Sequence, residues 1–221
     1  KRVRLEQEYQ AALVPNDPHF SEQYGLQSSV NALADIKAPA AWEKTTGSSI
    51  TVIAIVDGGV DLTHEDLAGK GWANPGEVPG NNLDDDGNGF IDDVHGWDFV
   101  SDRPAAIAID HATHVAGIAA AAGNNGIGVT GVDWGARIMS VRVLSSFGAG
   151  RETAIAEGIH YAVVNGAEVI NLSLVGSPSD LLAAAIEEAY NAGVVVVAAA
   201  GNSGASTTGG RVYPVCADVG G

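Results

Sequence analysis

The sequence predicts one α/β domain built on a mostly parallel β-sheet. Three observations carry that expectation. Segments of strand character alternate with segments of helix character along most of the chain. The strand candidates are rich in consecutive apolar and β-branched residues, as expected of strands covered on both faces. The strongest of them ends sharply at Asp57 in "DGGVD", and ligands of parallel sheets bind beyond such carboxyl ends.

The elements follow in order. Residues 1 to 13 read as a leader or linker, because Lys1, Arg2 and Arg4 supply three of the eleven basic residues. The domain itself then runs from 14 to 221. "PNDPHF" is punctuated by Pro15 and Pro18. Residues 34 to 45 predict a short helix broken by Pro39. Ser48 to Asp57 predict a doubly buried strand. Residues 71 to 93 form a loop rich in Gly, Asn and Asp, and Val94 to Val100 a second strand. His111 to Ala122 read as a helix of small residues that packs closely on a sheet. Arg137 to Leu144 follow as a strand, and Gly150 to Gly166 as a helix stopped by Asn165-Gly166. "AEVINLSL" is a strand. Ser179 to Gly193 predict a helix with Ser179 as N-cap and a glycine stop. "VVVVAAAGNSG" predicts a buried strand running into a turn.

Composition narrows the function classes. The chain has 221 residues, 46% hydrophobic and 17% charged, which fits a folded domain with a real core. Its net charge of −16 argues against nucleic acid as a partner, since phosphate binding needs a basic face. An acidic surface suits an exported or salt-exposed protein, or one that holds cations. Cys216 is the one cysteine, so no internal disulfide forms and extracellular stability falls to packing or metal ions. The segment "KRVRLEQEYQ" has no apolar core of a signal peptide. The longest apolar run, Val194 to Ala200, is strand length, so no membrane span is expected.

Three polar residues stand where chemistry is expected. Asp57 ends the first strand, His111 opens a helix, and Asn202 follows the last strand. Singly, each has an ordinary reading: a turn-forming carboxylate, a solvated histidine, an asparagine in a left-handed turn. The strings "AIVDGGVDLTHEDL", "HATHVAGIAA", "VINLSL" and "VVVAAAGNSG" occur in that order in one chain. With them the sequence resembles the subtilases, the subtilisin-like serine peptidases, and within them the thermitase-like branch.

That resemblance implies a subtilisin-like three-layer α/β/α fold. It implies a serine endopeptidase in which Asp57 is the buried carboxylate, His111 the general base and Asn202 the oxyanion donor. A bound peptide would pair with Gly148, Ala149 and Gly150 on one side and Ser173, Leu174 and Val175 on the other. Ala199, Ala200 and Gly201 would line the pocket for the side chain before the scissile bond. The segment before Asp17 would be the end of a propeptide, making the protein's own propeptide a partner beside peptide or protein substrates. A secreted monomer with structural calcium is the implied setting.

The sequence also departs from the family pattern. The family's serine lies in a G-T-S-M-A string well after the asparagine, and the 221 residues hold no such string. The expected chain is therefore a subtilisin-like domain lacking its C-terminal part, inactive alone. Gly58 replaces a Ser or Thr, Asp110 and Ala112 replace glycines around His111, and Val175 replaces the first glycine of "SLGG". A β-branched Val175 is costly if that position needs positive φ. A non-catalytic calcium- or peptide-binding relative is the alternative. A nucleotide-binding Rossmann fold is a weak third reading, since "DGGVD" lacks the G-x-G-x-x-G spacing.

Metal ligands are expected in two places. "LDDDGNGFIDD" resembles the first half of an EF-hand loop, with oxygens from Asp84, Asp86 and Asn88, a turn at Gly89, the Phe90 carbonyl, then Asp92 and Asp93. Hard oxygens in that spacing suit Ca²⁺. The family resemblance implies a second calcium site from Asp17, Asp66 and Asn125, with the carbonyls of Ala122, Ile127 and Val129.

Overall fold

The structure is a computed structural model and describes residues 13–31, 33–105, 107–204 and 212–217. The leader assigned to residues 1–13 lies outside the described residues except for Leu13. The elements are α1 (Ala38–Trp42), β1 (Val52–Asp57), β2 (Trp97–Asp98), β3 (Arg103–Pro104), α2 (Asp110–Ala120), β4 (Arg137–Arg142), α3 (Glu152–Val164), β5 (Val169–Leu172), α4 (Asp180–Asn191) and β6 (Val195–Ala198). They form a six-stranded sheet in the order β3-β2-β4-β1-β5-β6. All pairings are parallel except that of the short β3 with β2.

β1 lies near the middle of the sheet, and its alternate residues feed two cores. Ala54 and Val56 face α3 and α4, together with Met139, Val141, Ile159, Ile170 and Leu172. Ile53 and Ile55 face α2, where Ala112, Ala116 and Ala120 let the helix approach closely. The small-residue pattern of α2 is thus a packing device, since bulkier side chains would hold the helix off the sheet. α4 is capped as its sequence predicts, with Ser179 Oγ accepting from Leu182 N–H. α3 and α4 are each followed by a glycine at positive φ, Gly166 and Gly193.

Three expectations need correction. Pro39 does not break a helix; it sits in the first turn of α1, where its missing N–H costs nothing. The second strand shrinks from Val94–Val100 to two residues. β6 is not a buried strand. Val194, Val196 and Ala198 pack against the α3/α4 core, but Val195 and Val197 are 57% and 50% exposed. They stand beside Val169 and Asn171 in register, on the face that α2 covers only over β1 and β4. The sequence reads apolar throughout because apolar residues occupy both faces; it does not reveal which face has a cover. No helix among the described residues is long and apolar enough to cross a membrane.

Candidate active site

The parallel order brings the carboxyl ends of β4, β1, β5 and β6 to one edge. A cleft of about 630 Å³ opens there, lined by Asp57, Gly58, Ile109, His111, the segment 148–150 and the segment 173–179. Asp57 is 1% exposed. Its Oδ1 accepts from the N–H of Gly58 at 2.6 Å, and its carbonyl accepts from Val143 and Leu144. Strand pairing and these bonds hold the carboxylate rigidly at the strand end.

His111 is the second residue of α2, and its side chain is 56% exposed to the cleft side. Its Nδ1 lies 3.0 Å from Asp57 Oδ1 and 2.9 Å from Oδ2. The Oδ1 contact has hydrogen-bond alignment; Oδ2 is close but off line, and it has no hydrogen bond of its own. The contact with Oδ1 is therefore the one that orients the ring, and Oδ2 contributes charge. Thr113 ties the two segments together. Its hydroxyl accepts from Asp61 N–H at 3.0 Å and donates to the Ile109 carbonyl at 3.2 Å. Thr113 was not singled out from the sequence; its place two residues after His111 is the signal that points to it.

The remaining sequence-predicted site residues divide. Gly148, Ala149, Gly150, Ser173, Leu174 and Val175 all line the cleft. Val175 is 55% exposed and is not among the residues at positive φ, so its β-branched side chain carries no backbone penalty. Ala199, Ala200, Gly201 and Asn202 follow β6 at the same edge but do not line this cleft. Gly201 comes near it: a Cβ there would stand 3.6 Å from Val175 Cγ1. The exposed Asn202 follows β6 at this edge, and the structure does not bring it against His111 and Asp57 in the cleft wall.

Two carboxylate groupings lie away from the cleft. Asp17 and Asp66, each 4% exposed, converge on the loop 122–130. Asp17 accepts from the N–H groups of Asn124 and Asn125, and Asp66 Oδ2 from Val129. Asp66 Oδ1 is buried without a hydrogen-bond partner. Asn125 turns its Oδ1 to Ile127 N–H. Two buried anions sharing one loop, one of them with an orphaned oxygen, fit a hard cation.

In the acidic loop, Glu77, Asp84 and Asp86 bring one oxygen each within 4.8 Å of one another. Glu77 is 8% exposed and its Oε2 has no partner, again a donor set suited to Ca²⁺. Glu77 was missed in the sequence because it precedes the spaced Asp-Asp-Asn run by seven residues. Asp92 stands apart from the group: its carboxylate accepts from the N–H groups of Gly80, Asn81 and Asn82. Asp93 is fully buried and accepts from the Asn74 and Asn88 amides and the Tyr161 hydroxyl. Phe90 packs its ring on Trp97, Phe99 and Tyr161, anchoring the loop. Burial and the Asp93 carboxylate raise the Tyr161 hydroxyl far above the usual tyrosine range.

Comparison with known proteins agrees with this geometry. Residues 48–217 match the family model described as the subtilase family. Thermitase of Thermoactinomyces vulgaris is 45% identical over 193 residues, covering 86% of this chain and 58% of thermitase. A thermophilic serine proteinase of Bacillus sp. (strain AK1) is 42% identical over 203 residues, covering 90% of this chain and 43% of that protein. A solved protease structure from Pseudoalteromonas arctica PAMC 21717 superposes with a TM-score of 0.63 at 35% identity, covering 85% of this chain and 59% of its own. The chain spans about half the length of the relatives it matches. A buried carboxylate oriented on an imidazole at the carboxyl edge of a parallel sheet, in a chain with this likeness, leaves one assignment: the chain belongs to the subtilase family.

Proposed function

We propose that these residues form the aspartate- and histidine-bearing part of a serine endopeptidase. The observation that carries this reading is the Asp57–His111 pair at the mouth of the cleft. A serine hydroxyl is a weak nucleophile at neutral pH, so an imidazole must take its proton as it attacks the peptide carbonyl. With Nδ1 held by Asp57, the His111 Nε2 is the group that accepts that proton and later delivers it to the leaving amine. Asn202 serves as the oxyanion donor by resemblance, a role worth about 10²–10³ in rate in such enzymes. A peptide lies extended between 148–150 and 173–175, paired by its main chain, which favours broad specificity.

The 221 residues contain no G-T-S-M-A string, and on this reading they do not hydrolyse peptides by themselves. The alternative of a non-catalytic binder is disfavoured by the intact dyad: Gly58, Ala112 and Val175 each fit without displacing it. Calcium is held by Asp17, Asp66 and loop 122–130, and by Glu77, Asp84 and Asp86; bound there, it neutralises charge that would otherwise repel. The acidic surface and the family resemblance support an exported monomer whose residues 1–13 end a propeptide.

The direct test incubates the chain with a chromogenic apolar peptide amide and, separately, with a fluorescent extended peptide. No turnover together with peptide binding is expected. Hydrolysis would overturn the inactivity, and failure to bind any extended peptide would overturn the cleft assignment.

A further inference from the structure

Position 58 carries glycine where the family pattern has a hydroxyl residue, and the backbone does not require it. Gly58 is absent from the positive-φ residues, whereas its neighbour Gly59 has φ +94. What position 58 lacks is room. A Cβ on Gly58 would stand 2.7 Å from Ile109 Cδ1, closer than such carbons approach, and 3.0 Å from Ile109 Cβ, tighter than most such contacts, so the isoleucine would have to give way. A Cβ on Gly59 would meet the Ile107 carbonyl at 2.0 Å. Both glycines are pressed by the segment that leads into α2.

Ile109 touches both halves of the dyad's framework. Its N–H donates to the Gly59 carbonyl at 2.9 Å. Its carbonyl accepts from the N–H and the hydroxyl of Thr113. It is the residue just before α2, in an extended conformation, two positions ahead of His111. Its side chain also lines the cleft beside Asp57, Gly58 and His111.

We propose that Gly58 and Ile109 interlock, and that Ile109 is a positioning residue setting the spacing between Asp57 and His111. Relying on the dyad reading above, the glycine is a steric complement to the isoleucine: the volume a serine or threonine would occupy is filled from across the gap. The loss of the hydroxyl residue is compensated within this chain, so the departure at 58 preserves the site. Adding a side chain at 58 drives the Asp57 turn and the start of α2 apart; removing the Ile109 side chain lets them slacken.

The test follows the low-field proton resonance of the His111 Nδ1–H by NMR in the 221-residue chain, with Asp57→Asn and His111→Ala for assignment. Four forms are compared: wild type, Gly58→Ser, Ile109→Ala, and both together. The interlock predicts that Gly58→Ser loses or shifts the resonance and lowers the melting temperature. It predicts that Ile109→Ala speeds exchange of that proton with water, and that the double variant regains a sharp resonance near the wild-type position. An unchanged resonance in both single variants, or a double variant no better than Gly58→Ser, overturns it. If Gly58→Ser does not fold, Ile109→Val decides: it removes only the Cδ1 methyl, and an exchange rate equal to wild type overturns the interlock. A wild-type chain with no such resonance sinks the dyad itself, whereas a resonance lost in Asp57→Asn but indifferent to the pair sinks only the interlock.

Discussion

The hydroxyl of Tyr161 donates a 2.6 Å hydrogen bond to the buried Asp93, tying the last turn of α3 to the end of the acidic loop. Tyr161 is 1% exposed and Asp93 fully buried, so neither can turn to water for a substitute. Tyr161→Phe keeps the ring stack on Phe90 and Phe99 and removes one donor from a buried carboxylate. It is expected to destabilise the fold by about 1–3 kcal/mol, measured by urea unfolding. A change below about 0.5 kcal/mol would mean that the Asn74 and Asn88 amides satisfy Asp93 alone.

Calcium should raise the melting temperature through two separable contributions. At free calcium 100-fold above its dissociation constant, each site adds about 2.7 kcal/mol. Glu77→Gln is expected to remove the acidic-loop share and Asp66→Asn the share of loop 122–130. A chelator should lower the wild-type melting temperature and leave the double variant unmoved. Equal chelator responses in all four proteins would argue that neither grouping binds the ion.

Acid should loosen the turn after Asp57. Asp61 accepts from the Thr63 hydroxyl at 2.6 Å and from its N–H at 2.9 Å, and these bonds lower its pKa from the ordinary 3.8. A carboxylate with a lowered folded pKa contributes stability above its unfolded value and loses it as pH falls through the folded one. Thr63→Ala should therefore flatten the stability loss below about pH 4, read from melting curves across that range. An unaltered acid limb would show that the turn contributes nothing there.

The uncovered side of β6 should behave as a sticky surface. Among the described residues, no helix covers the apolar side chains that Val195 and Val197 present on the α2 face. Val195→Thr with Val197→Lys is expected to reduce binding of a hydrophobic dye. Stability should change by no more than about 0.5 kcal/mol, as for surface positions. A loss of several kcal/mol would mean these valines are buried in solution.

Much of this was legible in the sequence, and the gaps have physical causes. Strand ends at Asp57 and the cap at Ser179 are local events, written in local chemistry, and they appear where the sequence predicts them. The convergence of Asp57 with His111, 54 positions apart in the chain, needed the chain to fold back, and only the ordered family motifs disclosed it. Glu77 and Ile109 act across space on Asp84 and Gly58, so no spacing rule reaches them. β6 misled because an apolar run reports side-chain chemistry and is silent about whether a neighbour covers it. The backbone N–H partners of Asp92 were equally hidden, because carboxylates one residue apart face different partners.

The sharpest test of the Asp57–His111 pair is the tautomer of one imidazole. Nitrogen-15 NMR of the labelled chain near neutral pH distinguishes which ring nitrogen of His111 carries the proton. The expected tautomer carries the proton on Nδ1, toward Asp57, with the Nε2 lone pair free, and that preference is lost in Asp57→Asn. A proton on Nε2 in the wild-type chain would contradict it.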